Sequence, residues 1–143
     1  MPYKFLEKVS IADVAFEASG KSLAGLFASA GMAITAAQIK NFKAIKPKTQ
    51  KEIKIRADSR EQLLFRFLDE LIFIKDTEQL LFNKFKIKIE KKGMLYQLAC
   101  SAQGEKLDTK RHQSLVDVKA ITMHLFEVKK TAGSWKARVV LDV

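Results

Sequence analysis

Hydrophobic and polar residues alternate along several stretches of this chain, and the alternation predicts β-strands. In the last nine residues, WKARVVLDV, the side chains of Trp135, Ala137, Val139 and Leu141 share one face, and mostly polar residues share the other. A period of two is typical of a half-buried strand, because successive side chains point to opposite faces. The same pattern predicts strands in FLEKV, IADVAFEA, EIKIRA, FNKFKIKIEKKG, MLYQLACSAQG and VDVKAITMHLFEVKK.

Turn signals separate the later strands. FNKFKIKIEKKG and MLYQLACSAQG meet around Lys92 and Gly93, which predicts a hairpin, and TAGS at 131–134 predicts the turn before the last strand. The stretch NFKAIKPKTQ has no clear period and contains Pro47, so we interpret it as a connection.

Two stretches have a period near 3.6 residues and are predicted to be helices. The first begins after Ser22, whose hydroxyl can cap it. The second begins after Asp58 or Ser59 and is expected to end near Asp76. The apolar stripes are Leu23, Leu26, Phe27, Ala30 and Ile34 in the first helix, and Leu63, Leu64, Phe67, Leu68, Leu71 and Ile72 in the second.

This order of elements predicts an α+β protein. Two helices, several antiparallel strands and no repeated strand–helix–strand unit indicate a two-layer domain, in which an antiparallel or mixed β-sheet carries both α-helices on one face. The chain has 143 residues, of which 48% are hydrophobic, so we predict a single domain spanning 1–143.

The charge is strongly basic, with 26 Lys and Arg against 16 Asp and Glu and a formal net charge of +10. Such a balance favours acidic partners, above all a polyphosphate backbone. Most lysines nevertheless alternate with apolar residues, so a solvated sheet face explains them equally well. No stretch predicts a membrane span or a secretory signal, and we expect a cytoplasmic protein that does not enter membranes.

Few residues suggest chemistry, and the phosphate-loop, GxGxxG, GxSxG and HExxH signatures are missing. We interpret Cys100 as a small buried side chain in a strand. His112 follows Asp108 by four positions in a predicted loop, and we interpret the two as polar side chains at the surface rather than as a metal site. His124 is predicted to share a strand face with Thr122 and to be hydrogen-bonded in or beside the sheet, with proton transfer or metal binding as the alternatives.

Two aspartates lie in predicted strands, where aspartate is disfavoured. Asp13 has apolar neighbours, and Asp142 ends the last strand just before Val143. If the two carboxylates meet they repel, and a hard cation such as Ca²⁺ or Mg²⁺, completed by the oxygens of Val143, is one way to hold them. The alternative is that each aspartate accepts backbone hydrogen bonds or pairs with a lysine or arginine. The residue pattern does not bring the two side chains together.

Four blocks of sequence resemble the archease family in their order and spacing: FLEKVSIADVAFEASGKSLAGLF, LFRFLDELIFIKDTEQLLFNKF, GEKLDTKRHQSLVDVKAITMHLFEV and GSWKARVVLDV. The resemblance covers nearly the whole chain and is most specific at 118–124 and in the last nine residues. It implies a small, non-catalytic accessory protein. Such a protein promotes guanylylation and multiple turnover of the RNA-splicing ligase RtcB in tRNA splicing and broadens the nucleotides that the ligase accepts.

The resemblance also implies a divalent-cation site, usually described as calcium, with Mg²⁺ or Mn²⁺ as alternatives. On this chain the ligands would be Asp13, Asp142 and the oxygen of Val143. Lys119 and His124 are candidates for contacts with the ligase at the same end. The family's usual histidine before the first aspartate has no clear counterpart here, where the chain offers Lys8.

Two other hypotheses remain at this stage. The protein could be an RNA-binding module that uses a basic sheet face, in which case binding is salt-sensitive and survives loss of Asp13 and Asp142. It could also be a stand-alone hydrolase that uses the acidic pair, but no substrate pocket is evident in the sequence. On the archease hypothesis, tRNA or other RNA is met through the ligase complex.

Overall fold

The structure is a computed structural model that describes residues 2–6 and 13–143. Its strands are β1 (Tyr3–Phe5), β2 (Asp13–Gly20), β3 (Thr49–Ala57), β4 (Leu80–Lys92), β5 (Leu95–Lys106), β6 (Ala120–Thr131) and β7 (Ser134–Asp142). Its helices are α1 (Leu23–Gln38) and α2 (Arg60–Glu78), and a single 3₁₀ turn occupies Phe42–Ala44. The stretches predicted as FLEKV and IADVAFEA extend partly into 7–12, which lies outside the described residues.

The seven strands form two antiparallel sheets. The first has the order β1-β2-β7-β6 and the second has the order β3-β5-β4. Helix α1 packs against β2 and β4, and α2 packs against β6 and β3, so each helix contacts both sheets. The α+β class is confirmed, but the strands are divided between two sheets where the sequence predicted one. Alternation shows which face of a strand is buried and does not show which strand lies beside it.

Helix α1 begins where the sequence predicted. The Ser22 hydroxyl accepts a hydrogen bond from the Gly25 N–H at 3.0 Å and caps the first turn. The helix is buried on more than its predicted stripe, and the hydroxyl of Thr35 donates to the Phe82 main-chain oxygen at 2.6 Å. At Gly31 a Cβ would come within 2.9 Å of the Phe85 ring, so the glycine allows α1 to approach β4 closely.

Helix α2 is capped by Ser59, whose hydroxyl accepts from the Gln62 N–H at 3.1 Å. All six residues of its predicted stripe are buried. Phe67 of this helix stacks on Phe27 of α1, with ring centroids 6.0 Å apart, in one apolar cluster that includes residues of both sheets and both helices. Within the described ranges, no helix combines the length and the apolar character needed to cross a membrane.

The two predicted turns are confirmed. Gly93 and Gly133 adopt φ values of +62° and +73° at the ends of the β4–β5 and β6–β7 hairpins, in the left-handed region that favours glycine. Cys100 is buried in β5, as predicted, and this burial raises the pKa of its thiol to about 12.

Candidate functional site

Asp13 and Asp142 lie directly opposite each other on β2 and β7. Directly paired residues of an antiparallel ladder project to the same face, with Cβ atoms about 4.5–5.5 Å apart. In the same ladder the core face holds Phe16 and Val139, both fully buried, so the two aspartates project from the opposite, outer face. Neither aspartate is fully exposed. The fold therefore brings together the two strand aspartates that the sequence left apart.

The surroundings of this pair are formed by β6 and the residues that precede it. Ala120 is paired with Asp142 on the other side of β7, and its short side chain leaves space on the same face. The main-chain N–H of Lys119 donates to the main-chain oxygen of Asp142 at 2.8 Å, so that oxygen already has a partner. Val143, which follows directly, is half-buried.

The donor set at this end fits a hard cation. Two facing carboxylates repel each other, and Ca²⁺ and Mg²⁺ bind carboxylate and main-chain oxygens. Across 2–6 and 13–143, no cluster of three or more His, Cys, Asp and Glu side chains has the arrangement of a metal site. An ion bound here would need main-chain oxygens such as that of Val143, or water, in addition to Asp13 and Asp142. Lys8, noted in the sequence, lies outside the described residues.

His124 does not have the environment that the sequence predicted. The register of β6 against β7 shifts between Thr122 and Glu127, so 123–126 form a bulge in which Leu125 has a φ of +56°. Arg138 closes the bulge by donating from Nε to the Leu125 oxygen at 3.0 Å. His124 is exposed on it, and its side chain makes no hydrogen bond to the described part of the chain. The expected hydrogen-bonded histidine is therefore wrong, because the bulge ends the regular alternation.

His112 was expected to be a polar side chain at the surface, but it is buried and only 1% exposed. Its Nδ1 accepts a hydrogen bond from the Asp108 main-chain N–H at 2.9 Å, and its Nε2 lies 3.2 Å from a carboxylate oxygen of Glu105. Glu105 also binds the Arg111 guanidinium, and chiefly this contact lowers the pKa of its carboxyl to about 2. The contacts among Glu105, Arg111 and His112 therefore hold the loop after β5 in place. No local sequence pattern predicted this cluster.

Lys75 is a second residue that the sequence analysis missed. It lies on α2 with 9% of its surface exposed and donates to the Val118 oxygen at 2.9 Å, next to the contact between Lys119 and Asp142. A signal was present in the sequence, because Lys75 follows Leu71 by four positions and continues the apolar stripe of the helix. A lysine at such a position is buried only with partners.

Comparison with known proteins identifies the family to which this chain belongs. The model of the Archease protein family (MTH1598/TM1083) matches residues 3–143. The chain belongs to the archease family. The paired aspartates of β2 and β7 both lie within the matched range.

Individual relatives agree with this assignment. Protein archease of Pyrococcus abyssi is 37% identical over 133 residues, which cover 92% of this chain and 93% of the relative. Protein archease of Methanothermobacter thermautotrophicus is 36% identical over 132 residues, with the same two coverages.

Two solved structures share the archease fold. The solution structure of Methanobacterium thermoautotrophicum protein 1598 superimposes with a TM-score of 0.86 at 34% identity and covers 99% of both chains. The crystal structure of an archease, described as a possible chaperone, from Thermotoga maritima has a TM-score of 0.60 at 21% identity, covering 94% of this chain and 93% of that one. The second likeness supports the fold alone.

Proposed function

We propose that this archease is a non-catalytic accessory protein that activates the RNA-splicing ligase RtcB through a divalent-cation site at the Asp13 and Asp142 end. The observation that carries the proposal is the direct pairing of these two aspartates across β2 and β7. Ca²⁺ is the expected ion, with Mg²⁺ and Mn²⁺ as alternatives, because the available donors are all oxygens. Asp13, Asp142 and the oxygen of Val143 would hold it.

The residues of this chain would contribute by positioning groups at the ligase's active site, and they would not take part in the reaction themselves. Guanylylation requires a lysine nucleophile and metal-bound GTP, and both belong to the ligase. A bound divalent ion supplies positive charge that phosphate or carboxylate oxygens can share. Asp13 and Asp142 would present that charge at the end of the two central strands of the first sheet, and ordering of the ligase's nucleotide site would lower the entropic part of its barrier. The same effect would promote repeated turnover and broaden nucleotide use.

Lys119 and His124 are the proposed contacts with the ligase. Lys119 is exposed and directly precedes β6, where its main chain is fixed to Asp142. His124 lies on the 123–126 bulge between Met123 and Leu125, which are 53% and 47% exposed. Exposed apolar side chains grouped around a polar one are typical of protein–protein contacts. This bulge would extend the docking surface along β6.

The test is multiple-turnover RNA ligation by the RtcB ligase of the same organism, with GTP, in the presence of wild type, Asp13→Asn or Asp142→Asn. Glu17→Gln is the matched control, because Glu17 lies on β2, on the same face as Asp13, and has Arg138 opposite it. We expect wild type and Glu17→Gln to restore turnover and both aspartate variants to fail while retaining wild-type circular dichroism.

Activation by all four proteins would exclude the cation site from the function, and activation by none would exclude the ligase as the partner. Lys119→Ala and His124→Ala should raise the archease concentration needed for half-maximal activation and leave the maximal rate unchanged.

A further inference from the structure

The outer surface of the second sheet, here called the basic face, carries most of its charge as cations. It consists of the side chains of β3, β5 and β4 that point away from the helices. Its cations are Lys54, Arg56, Lys84, Lys86, Lys88 and Lys92, and its acids are Glu52 and Glu90. The inward alternates Ile53, Leu98 and Cys100 are buried in the core.

The register arranges these cations in two rows with a trough between them. Lys54 of β3 and Lys88 of β4 are both paired with Ala99 of the central strand, which has a short side chain. Two strand spacings separate the rows by about 9.6 Å. The trough is an open depression of about 500 Å³. Its lining includes Lys54, Arg56, Lys88, Gln97 and Ala99.

Most of these charges are not neutralised within the protein. Glu90 lies 3.1 Å from Lys88 and 3.7 Å from Lys92, and these lysines lower the pKa of its carboxyl. Lys54, Arg56, Lys84 and Lys86 make no ion pair with any acid in the described ranges. Unneutralised cations on one face create a positive potential that concentrates polyanions.

The composition of the face distinguishes a phosphate backbone from an acidic protein as its partner. Protein interfaces have aromatic and apolar residues at their centre and are depleted in lysine. The central strand presents Gln97, Ala99, Ser101 and Gln103 on this face, and the large exposed apolar residues Met94 and Leu95 lie at the hairpin end. Lysine and arginine around small polar side chains fit phosphate oxygens. Without an aromatic platform, bases cannot stack on the sheet.

We propose that the basic face binds the phosphate backbone of RNA without regard to sequence. The surface lies on the sheet that does not contain Asp13 and Asp142. RNA binding is therefore independent of the cation site, and its test needs no ligase.

The experiment measures fluorescence anisotropy of a labelled single-stranded RNA of mixed sequence, titrated with the full chain at several KCl concentrations. The face variant combines Lys54→Gln, Arg56→Gln, Lys86→Gln and Lys88→Gln. The control variant removes the same charge elsewhere through Lys4→Gln, Lys21→Gln, Lys110→Gln and Lys129→Gln, all at exposed positions.

If the four face residues contact four phosphates, log K should fall with log[salt] with a slope of about −2.8 for wild type. Each contact is worth about fivefold in affinity near 0.1 M salt, so loss of four contacts should weaken binding by the face variant roughly 600-fold and flatten its slope. The control variant and Asp142→Ala should bind as wild type does.

If the face variant and the control variant lost RNA affinity equally, the proposal would be overturned, because net charge alone would then explain the binding. If the face variant retained its affinity for RNA but lost its affinity for the ligase, the proposal would be overturned. The partner of the basic face would then be an acidic protein surface. A failure of wild type to bind RNA at low salt would also overturn it and would leave the ligase assay unaffected.

Discussion

Lys75 and Asp117 join the last turn of α2 to the segment that enters β6, with Nζ 2.6 Å from Oδ1. Lys75 also lies 3.0 Å from Asp76 and donates to the Val118 oxygen, although its own side chain is 9% exposed. Because the next residue, Lys119, donates to the main chain of Asp142, this ion pair fixes the segment beside the proposed cation site.

Replacing Lys75 with Met should therefore affect both stability and the site. The buried Val118 oxygen loses its donor, and we expect a loss of about 1–3 kcal/mol in the free energy of unfolding, measured with urea. Ca²⁺ affinity, measured by calorimetry, should fall severalfold. Lys51→Met is the control, because its pair with Glu78 is partly exposed and should cost less than about 1 kcal/mol. Unchanged Ca²⁺ affinity in Lys75→Met would restrict the residue to a role in folding.

Calcium should stabilise wild type and leave Asp142→Asn unchanged. At a Ca²⁺ concentration 100 times Kd, wild type gains about 2.7 kcal/mol, because the ion binds the folded state alone. In EDTA the variant should be at least as stable as wild type, since two directly opposed carboxylates repel. Thermal unfolding with and without Ca²⁺ measures both effects. An equal gain in wild type and Asp142→Asn would place the ion elsewhere.

Acid should weaken the protein through Glu105. Its carboxyl has a folded pKa of about 2 against an ordinary value of 4.5, chiefly because Arg111 binds it. The resulting stability is complete above pH 4.5 and is lost as the pH falls from 4.5 towards 2. Glu105→Gln should be about 1–3 kcal/mol less stable than wild type at pH 7, and the difference should shrink over this pH range.

Urea unfolding between pH 2 and pH 7 checks this prediction. Asp108→Asn serves as the control, because Asp108 is more exposed and its carboxylate lies 3.6 Å from Arg111. A constant difference between wild type and Glu105→Gln at every pH would assign the acid sensitivity to other groups.

An added side chain should lower the stability of the protein strongly at Gly104 and hardly at all at Gly93. At Gly104 a Cβ would lie 1.8 Å from the Leu81 main-chain oxygen, where β4 is irregular between Phe82 and Lys84. Gly104→Ala should cost about 3 kcal/mol or more, because main-chain atoms must move. At Gly93 nothing lies within 4 Å, and asparagine tolerates its positive φ, so Gly93→Asn should be nearly neutral. Similar melting temperatures for the two variants would contradict this packing.

The sequence pattern was sufficient to predict the features that depend only on neighbouring residues. The sequence identified Ser22 as a helix cap and Ser59 as one of two candidates with Asp58, because a cap needs one side chain and the next three residues. Alternation placed Val139 and Leu141 on the core face, since the side-chain period of a strand is fixed. The archease resemblance added the aspartates as a pair, which local pattern alone did not do.

The bulge around Leu125, the burial of His112 and the division into two sheets came from the tertiary structure. Each depends on contacts between residues distant along the chain, such as Arg138 with the Leu125 oxygen. Sequence by itself determined the helices, the strands, the buried faces and the basic balance of this protein, because propensity and periodicity act over a few residues. Tertiary structure alone decided that Asp13 faces Asp142 and that the lysines of β3 and β4 flank one trough, because strand register joins positions far apart in the chain.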